Sequence, residues 1–92
     1  MNKDVTIILL AHKSKKLVCN FIRNLHKKFK IIIVDNSNDM DLQNKILTNY
    51  PKIEIHLIEN NGYGNQINYG SKFVTTEYFL ISNPDVSGLE EI

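Results

Sequence analysis

At positions 31–37 the chain reads Ile-Ile-Ile-Val-Asp-Asn-Ser, an unbroken apolar run that ends abruptly in polar residues. An apolar run without alternation is typical of a strand that is covered on both faces of a sheet. The runs at 5–10 and 78–81 have the same character, whereas residues 53–58 partly alternate between apolar and polar. We therefore predict four short strands, of which the third lies at an edge of the sheet.

Helical patterns fill the three intervals between these runs. Residues 14–28 carry apolar side chains at i, i+1, i+4, i+5 and i+8, which is one face of a helix, and Ser14 is its predicted N-cap. Residues 41–49 and 65–74 predict two more helices, the last with Ile67 and Phe73 as its buried side. The resulting order, βαβαβαβ, predicts an α/β fold with a mainly parallel sheet and helices on both faces.

Composition limits the function classes. The chain has 92 residues, 42% hydrophobic and 23% charged, with a net charge of +1, which is typical of one globular domain and excludes a general nucleic-acid binder. Cys19 is the single cysteine, so no internal disulfide can form and a reducing cytoplasm is expected. No apolar run is long enough to span a membrane. The basic face of the first helix is the one feature that points toward a peripheral position at an inner membrane.

Polar residues follow each predicted strand, and ligands bind at the carboxyl ends of strands in open parallel sheets. After the second strand, Asp35 could accept a hydrogen bond from a nucleobase imide or a ribose hydroxyl. Asp, Asn and Ser also favour turns and helix caps, and spacing alone favours that second interpretation. His12, at the end of the first strand, is a further candidate for contact with a ligand.

The segment after the third strand, residues 59–70, contains three glycines, of which Gly62 and Gly64 are spaced as Gly-x-Gly. A dinucleotide fingerprint is excluded, because Ile67 stands where its third glycine is required and because the segment follows the wrong strand. No phosphate-binding P-loop motif is present either. The alternative is an ordinary Asn- and Gly-containing loop that leads into a helix.

After the fourth strand the chain reads Asn83-Pro84-Asp85. Amide and carboxylate oxygens are the ligands that Mg²⁺ or Mn²⁺ prefers, and such a cation can neutralise a leaving diphosphate. The alternative is a proline turn with a solvated aspartate. No pair of His or Cys residues has the spacing of a zinc site.

Together these segments resemble the beginning of family 2 glycosyltransferases, most closely the bacterial rhamnosyltransferase-like members. The resemblance lies in Val-Asp-Asn-Ser at 34–37, Glu-Asn-Asn-Gly-Tyr-Gly at 59–64 and Asn-Pro-Asp at 83–85, and it covers nearly the whole chain. It implies the N-terminal half of a GT-A domain, with a Rossmann-like three-layer α/β/α architecture. It also implies inverting transfer of a sugar from a UDP- or dTDP-sugar to a glycan acceptor, with Mg²⁺ or Mn²⁺.

The resemblance implies residue roles as well. Asp35 would hydrogen-bond the nucleobase imide, Asp85 would ligate the metal, and Asn83 would contact ribose or a metal-bound water. Asn61 and Gly62 would lie under the nucleotide, and Asn68 would support the site. The family's usual Thr-Tyr-Asn after the first strand is Ala11-His12-Lys13 here. Backbone contacts from Ala11 and His12 to the nucleotide remain expected, whereas the base preference stays open.

The family's acceptor-binding half, with its general base, is expected to be missing from this chain. Glu90 and Glu91 follow the Asn-Pro-Asp motif too closely to be that base. Residues 1–92 are therefore expected to be a single, truncated nucleotide-sugar-binding domain of a bacterial polysaccharide-synthesis enzyme. On its own it should be inactive, and it should form homodimers through the exposed fourth strand.

A different class of function remains open, namely a non-catalytic nucleotide-binding or protein-interaction module on the same fold. Metal-dependent nucleotide binding would favour the transferase, and a protein partner without nucleotide affinity would favour the module. A flavodoxin-like regulator is disfavoured, because the chain lacks an acidic cluster and a phosphate-binding loop of the required kind.

Overall fold

The computed structural model describes residues 2–59 and 63–86. The elements are β1 (Asn2–Ala11), α1 (Lys15–Leu25), β2 (Phe29–Asp35), α2 (Met40–Asn49), β3 (Glu54–Leu57), α3 (Tyr63–Ser71) and β4 (Tyr78–Ser82). The predicted order βαβαβαβ is confirmed. The predicted end of the first helix at position 28 is wrong by three residues, because β2 already begins at Phe29.

The four strands form one all-parallel sheet in the order β3-β2-β1-β4. The chain moves outward from β1 through β2 to β3 and then returns to the other side of β1. The strand order therefore reverses between β1 and β4, and such a reversal opens a crevice at the carboxyl ends of the strands. Edge position of β3 is confirmed, and β4 forms the opposite edge.

Alternate side chains of β1 point to opposite faces of the sheet and belong to two separate hydrophobic cores. Ile7 and Leu9 pack with the buried faces of α1 and α2, whereas Ile8 and Leu10 pack on the α3 side. The first core is built from fully buried side chains such as Phe21. The second combines four buried strand residues with partly buried neighbours. The result is the predicted three-layer α/β/α architecture, which is Rossmann-like.

Helix α3 approaches the sheet through a glycine. A Cβ atom added at Gly70 would lie 2.8 Å from Ile8 Cγ2 and 3.1 Å from Val34 Cγ2. The predicted buried side of this helix is therefore incomplete, because Ile67 is only partly buried while Gly70 is buried. The prediction that Phe73 belongs to the helix is wrong, since α3 ends at Ser71 and the Phe73 ring stacks on His56 at 4.2 Å between centroids.

The prediction for the start of α1 is half right. Ser14 occupies the N-cap position, but its side chain makes no cap hydrogen bond, because its hydroxyl oxygen accepts from the backbone N–H of His12 at 3.2 Å. Helix α2, in contrast, is capped by Asp39, whose carboxylate accepts from the Leu42 N–H at 2.9 Å. Cys19 is half-buried against the α1–α2 core.

Strand β4 departs from the pattern that predicts cover on both faces. Its side chains at 78–81 are between 40% and 59% exposed, although all four are apolar or aromatic. Register with β1 directs Tyr78 and Leu80 to the α1 side and Phe79 and Ile81 to the α3 side, and within residues 2–59 and 63–86 neither helix layer buries them. In the part of the chain that the structure describes, no helix combines the length and the apolar character needed to cross a membrane.

Candidate functional site

An open cleft of about 560 Å³ lies at the carboxyl ends of β1 and β4, where the strand order reverses. It is lined by Leu10, Ala11, His12, Ser14, Leu17, Asn36, Gln66, Asn83, Pro84 and Asp85. Four residues that the sequence singles out, Ala11, His12, Asn83 and Asp85, therefore come together from two strand ends. The first turn of α1 contributes Ser14 and Leu17, so the amino end of this helix also faces the cleft.

The cleft floor is held by Gln66, which the sequence analysis missed. Its side chain is 2% exposed, and its amide nitrogen donates to the backbone carbonyls of Ala11 at 3.2 Å and Val34 at 3.0 Å. One buried amide thus joins the ends of β1 and β2. A glutamine inside a helical pattern is normally assigned to the solvent face, but its spacing of four residues before Gly70 was a usable signal, because i and i+4 share a helix face.

His12 is held by Asn36, a second residue that was missed. The His12 Nδ1 atom lies 2.5 Å from Asn36 Oδ1, and the Asn36 backbone N–H donates to the Ala11 carbonyl at 3.1 Å. Asn36 is 8% exposed, whereas the His12 side chain is exposed at the cleft. The imidazole is therefore positioned by a neighbouring strand end.

Asp35 is engaged within its own loop. It is 0% exposed, and its carboxylate accepts from the Ser37 N–H at 3.2 Å, the Ser37 hydroxyl at 2.7 Å and the Asp39 N–H at 3.0 Å. This is the turn-forming geometry expected of an Asp-x-Ser segment. Asp35 is not among the cleft-lining residues, but its carboxylate orders the loop that carries Asn36. Its assignment to the base imide stays a prediction.

The loops after β1 and β2 are tied together. The Lys13 N–H donates to the Ser37 hydroxyl at 3.0 Å, and Lys13 and Asn38 both have positive φ angles, of 49° and 55°. Asparagine tolerates this left-handed region well, whereas for lysine it costs about 1–2 kcal/mol. The bond to Ser37 helps to hold Lys13 in that conformation.

The Asn83-Pro84-Asp85 segment forms a turn in which the Val86 N–H donates to the Asn83 carbonyl at 3.2 Å. Both Asn83 and Asp85 are exposed on the cleft side. Over residues 2–59 and 63–86, no group of three or more His, Cys, Asp or Glu side chains that could hold a metal ion is present. One carboxylate beside one amide fits a Mg²⁺ or Mn²⁺ ion that takes its other ligands from phosphate and water, and does not fit a cage made of protein alone.

Asn68 is not among the residues that line the cleft. It lies two positions after Gln66, about 200° around the helix, and it lines a separate pocket with Glu59 and Tyr69. No contact of Asn68 with the cleft therefore supports the prediction that this residue helps to form the site. Asn61 and Gly62 lie outside the described residues, so their predicted place under the nucleotide remains untested.

An ion pair next to the cleft joins the first turns of α1 and α2. Lys15 Nζ lies 2.6 Å from the Asp41 carboxylate, and both side chains are exposed. The hydrogen bond, followed by the charge interaction, raises the pKa of Lys15 and lowers the pKa of Asp41. The pair thus links the two helix starts at the surface of the protein.

Known proteins resemble this chain in both sequence and fold. The sequence profile of Glycosyl transferase family 2 matches residues 6–87. Eleven chains of solved structures match, among them the crystal structure of S. aureus TarS 1-349. That likeness has a TM-score of 0.66 at 20% identity over 89% of this chain, which spans 27% of the TarS chain. Among curated proteins, none matches. Because the family profile covers most of the chain, from within β1 to beyond the Asn-Pro-Asp turn, the chain belongs to glycosyl transferase family 2.

Proposed function

We propose that this chain is the donor-binding part of an inverting glycosyltransferase that uses a UDP- or dTDP-sugar. The observation that carries the proposal is the cleft itself, to which β1 and β2 bring the contacting pair His12 and Asn36, and β4, on the other side of β1, brings Asn83 and Asp85. A nucleoside diphosphate needs such a bipartite site, with a base-binding end and a charge-binding end. The match to the family supports sugar transfer as the reaction class.

The base would bind beside Ala11 and His12, and the diphosphate would extend toward β4. Asp85 would bind a divalent cation, with Asn83 orienting the ribose or a water on that cation. When bound, Mg²⁺ or Mn²⁺ neutralises the charge that develops on a departing diphosphate. The amino end of α1 adds backbone N–H groups that favour an anion at the same end of the sheet.

The remaining roles are proposals that follow from the family. Asp35 would act at the base through the loop that carries Asn36, and Asn61, Gly62 and Asn68 would act in the loop and helix near the nucleotide. A glycan acceptor and a general base would belong to a further part of the enzyme. A rhamnosyltransferase-like specificity, a role in bacterial polysaccharide synthesis and a cytoplasmic position, peripheral to the inner membrane, complete the proposal.

A titration tests the donor site. UDP and dTDP are titrated into the chain with and without Mn²⁺, by calorimetry or by NMR, and the same is done with Asp85→Ala. Metal-dependent binding should be lost in Asp85→Ala and retained in Glu77→Ala, which removes an exposed carboxylate just before β4, at the opposite end of that strand. Equal binding with and without metal would contradict the role of Asp85. No binding to a folded sample would contradict the donor site.

A second candidate function is an interaction module that kept the fold. The observation that favours it is the apolar surface of β4, whose side chains at 78–81 are 40–59% exposed. Such an edge supports pairing with a second copy of the chain. Nucleotide binding in the titration above would favour the transferase, and self-association without nucleotide affinity would favour the module.

A further inference from the structure

The contact between His12 and Asn36 determines where the imidazole carries its hydrogen. Nδ1 of His12 lies 2.5 Å from the side-chain oxygen of Asn36. An amide oxygen can only accept, so Nδ1 must be the donor. In the neutral ring the other nitrogen, Nε2, then has no hydrogen and presents a lone pair.

The partner that imposes this tautomer is itself fixed. Asn36 is 8% exposed and donates its backbone N–H to Ala11, and the preceding residue, Asp35, ties the loop with three hydrogen bonds. The imidazole is therefore fixed at one nitrogen, while the exposed remainder of the ring borders the cleft. Nε2 is consequently an acceptor that a ligand can reach.

The nearby carboxylate is not available in the same way. Asp35 is 0% exposed, and both of its oxygens already accept hydrogen bonds from Ser37 and Asp39. A ligand in the cleft thus meets the ring nitrogen of His12 before it meets the Asp35 carboxylate. At this end of the cleft, the acceptor that a ligand can reach is therefore the exposed ring nitrogen and not the buried carboxylate.

We propose that His12 Nε2 is the atom that reads the nucleobase, and that it selects a base whose ring nitrogen carries a hydrogen. Uracil and thymine have this imide N–H, whereas the corresponding nitrogen of cytosine has a lone pair that would face the lone pair of Nε2. His12 is then a specificity residue, and Asn36 is a positioning residue that fixes the tautomer. The proposal rests on the proposed donor site and names the base class that this site accepts.

Titrations with UDP and CDP test the reading of the base. The chain should bind UDP more tightly than CDP by roughly threefold to tenfold, the range expected for one net hydrogen bond. His12→Phe keeps a ring but removes both nitrogens, so this variant should bind the two nucleotides equally. His26→Phe, at the opposite end of α1 where the ring contacts Tyr50, should retain the preference. A preference that persists in His12→Phe and disappears in Asp35→Asn would overturn the proposal in favour of the carboxylate.

The tautomer can be measured without any ligand. A long-range ¹⁵N–¹H NMR correlation of the neutral His12 ring should find the hydrogen on Nδ1 in the unaltered chain and in Asn36→Asp, which keeps an acceptor oxygen. In Asn36→Ala that preference should be lost. A hydrogen on Nε2 in the unaltered chain would refute the proposal even if UDP binds, whereas a failure of UDP and CDP to bind at all would refute the proposed function with it.

Discussion

Gly70 allows α3 to pack closely against the sheet, because it has a hydrogen atom where other residues have a side chain. Its neighbours, Ile8 and Val34, are both 0% exposed and β-branched, so their methyl groups have little freedom to move aside. This glycine closes the Asn- and Gly-containing motif at residues 59–70. The structure gives it a packing role that the motif did not reveal.

Gly70→Ala should therefore lower the free energy of unfolding by about 1–3 kcal/mol, because the new methyl group would overpack the contact with Ile8. Gly64→Ala is the matched control in the same helix, since a Cβ there meets nothing within 4 Å. That control should leave stability unchanged or raise it by up to about 1 kcal/mol through helix propensity. Urea unfolding of both variants gives the comparison, and equal stabilities would contradict the packing argument.

Gln66 carries a prediction of its own. Gln66→Leu keeps a similar volume but leaves the carbonyls of Ala11 and Val34 without their side-chain donor, which should cost about 1–3 kcal/mol. Gln43→Leu, on the half-buried side of α2, should change stability far less. Unfolding midpoints measure the stability of both variants. An unchanged midpoint in Gln66→Leu would mean that the hydrogen bonds of Gln66 to the two strand ends do not contribute to stability.

Prediction at the residue scale depended on whether a residue's partner was local. The turn chemistry of Asp35 and the exposure of Asp85 follow from their immediate neighbours, so sequence reasoning reached them. The contact of His12 with Asn36 spans 24 positions, and that of Gln66 with Ala11 spans 55. Neither pairing has a periodic signature, so only the folded chain brings these residues together.

At the scale of elements, the starts of α1 and α2 are coupled by Lys15 and Asp41. In Lys15→Met the pKa of the Asp41 carboxyl should rise toward its ordinary value, because the hydrogen bond and charge that lower it are gone. NMR titration of the carboxyl measures this, with Lys16→Met on the same turn as control. An unchanged Asp41 pKa in Lys15→Met would show that the ion pair does not form in solution.

The sign of the associated pH effect follows from the direction of the shift. Because folding lowers the pKa of Asp41, its contribution to stability is present above the pKa of the unfolded carboxyl and is lost as pH falls through the folded value. Lys15→Met should therefore reduce the loss of stability on the acid side. Both side chains are exposed, so the effect should also weaken as salt is added.

Elements were predictable where apolar periodicity was strong, as in β1, β2 and α1. The boundaries of these elements were harder to predict. The end of α1 at Leu25, for example, is set by the start of β2 and not by any stop signal within 26–28. For β4 the apolar run correctly indicated a strand. It could not indicate whether other elements cover that strand, because cover is a property of the assembled layers.

At the scale of the whole molecule, the apolar edge at β4 should govern behaviour in solution. The isolated chain should self-associate through this edge at high concentration, and Ile81→Lys should shift it toward a monomer, because a charged side chain on an edge strand opposes pairing. Leu47→Lys is the matched control, as Leu47 on α2 is 48% exposed compared with 46% for Ile81. Size-exclusion chromatography with light scattering reads out the mass; a monodisperse monomer of the unaltered chain at high concentration would contradict the expectation.

From the two unequal cores we expect the two faces of the sheet to open at unequal rates. The α1–α2 layer rests on fully buried side chains, whereas α3 rests mostly on half-buried ones and on the close contact at Gly70. Local opening follows the density of buried contacts, so amide protons of α3 should exchange with solvent water before those of α1 and α2. Each such opening would release Gln66 from the ends of β1 and β2. The floor of the cleft would therefore open together with α3, the least protected helix. A ligand bound in the cleft would slow the exchange of the α3 amide protons.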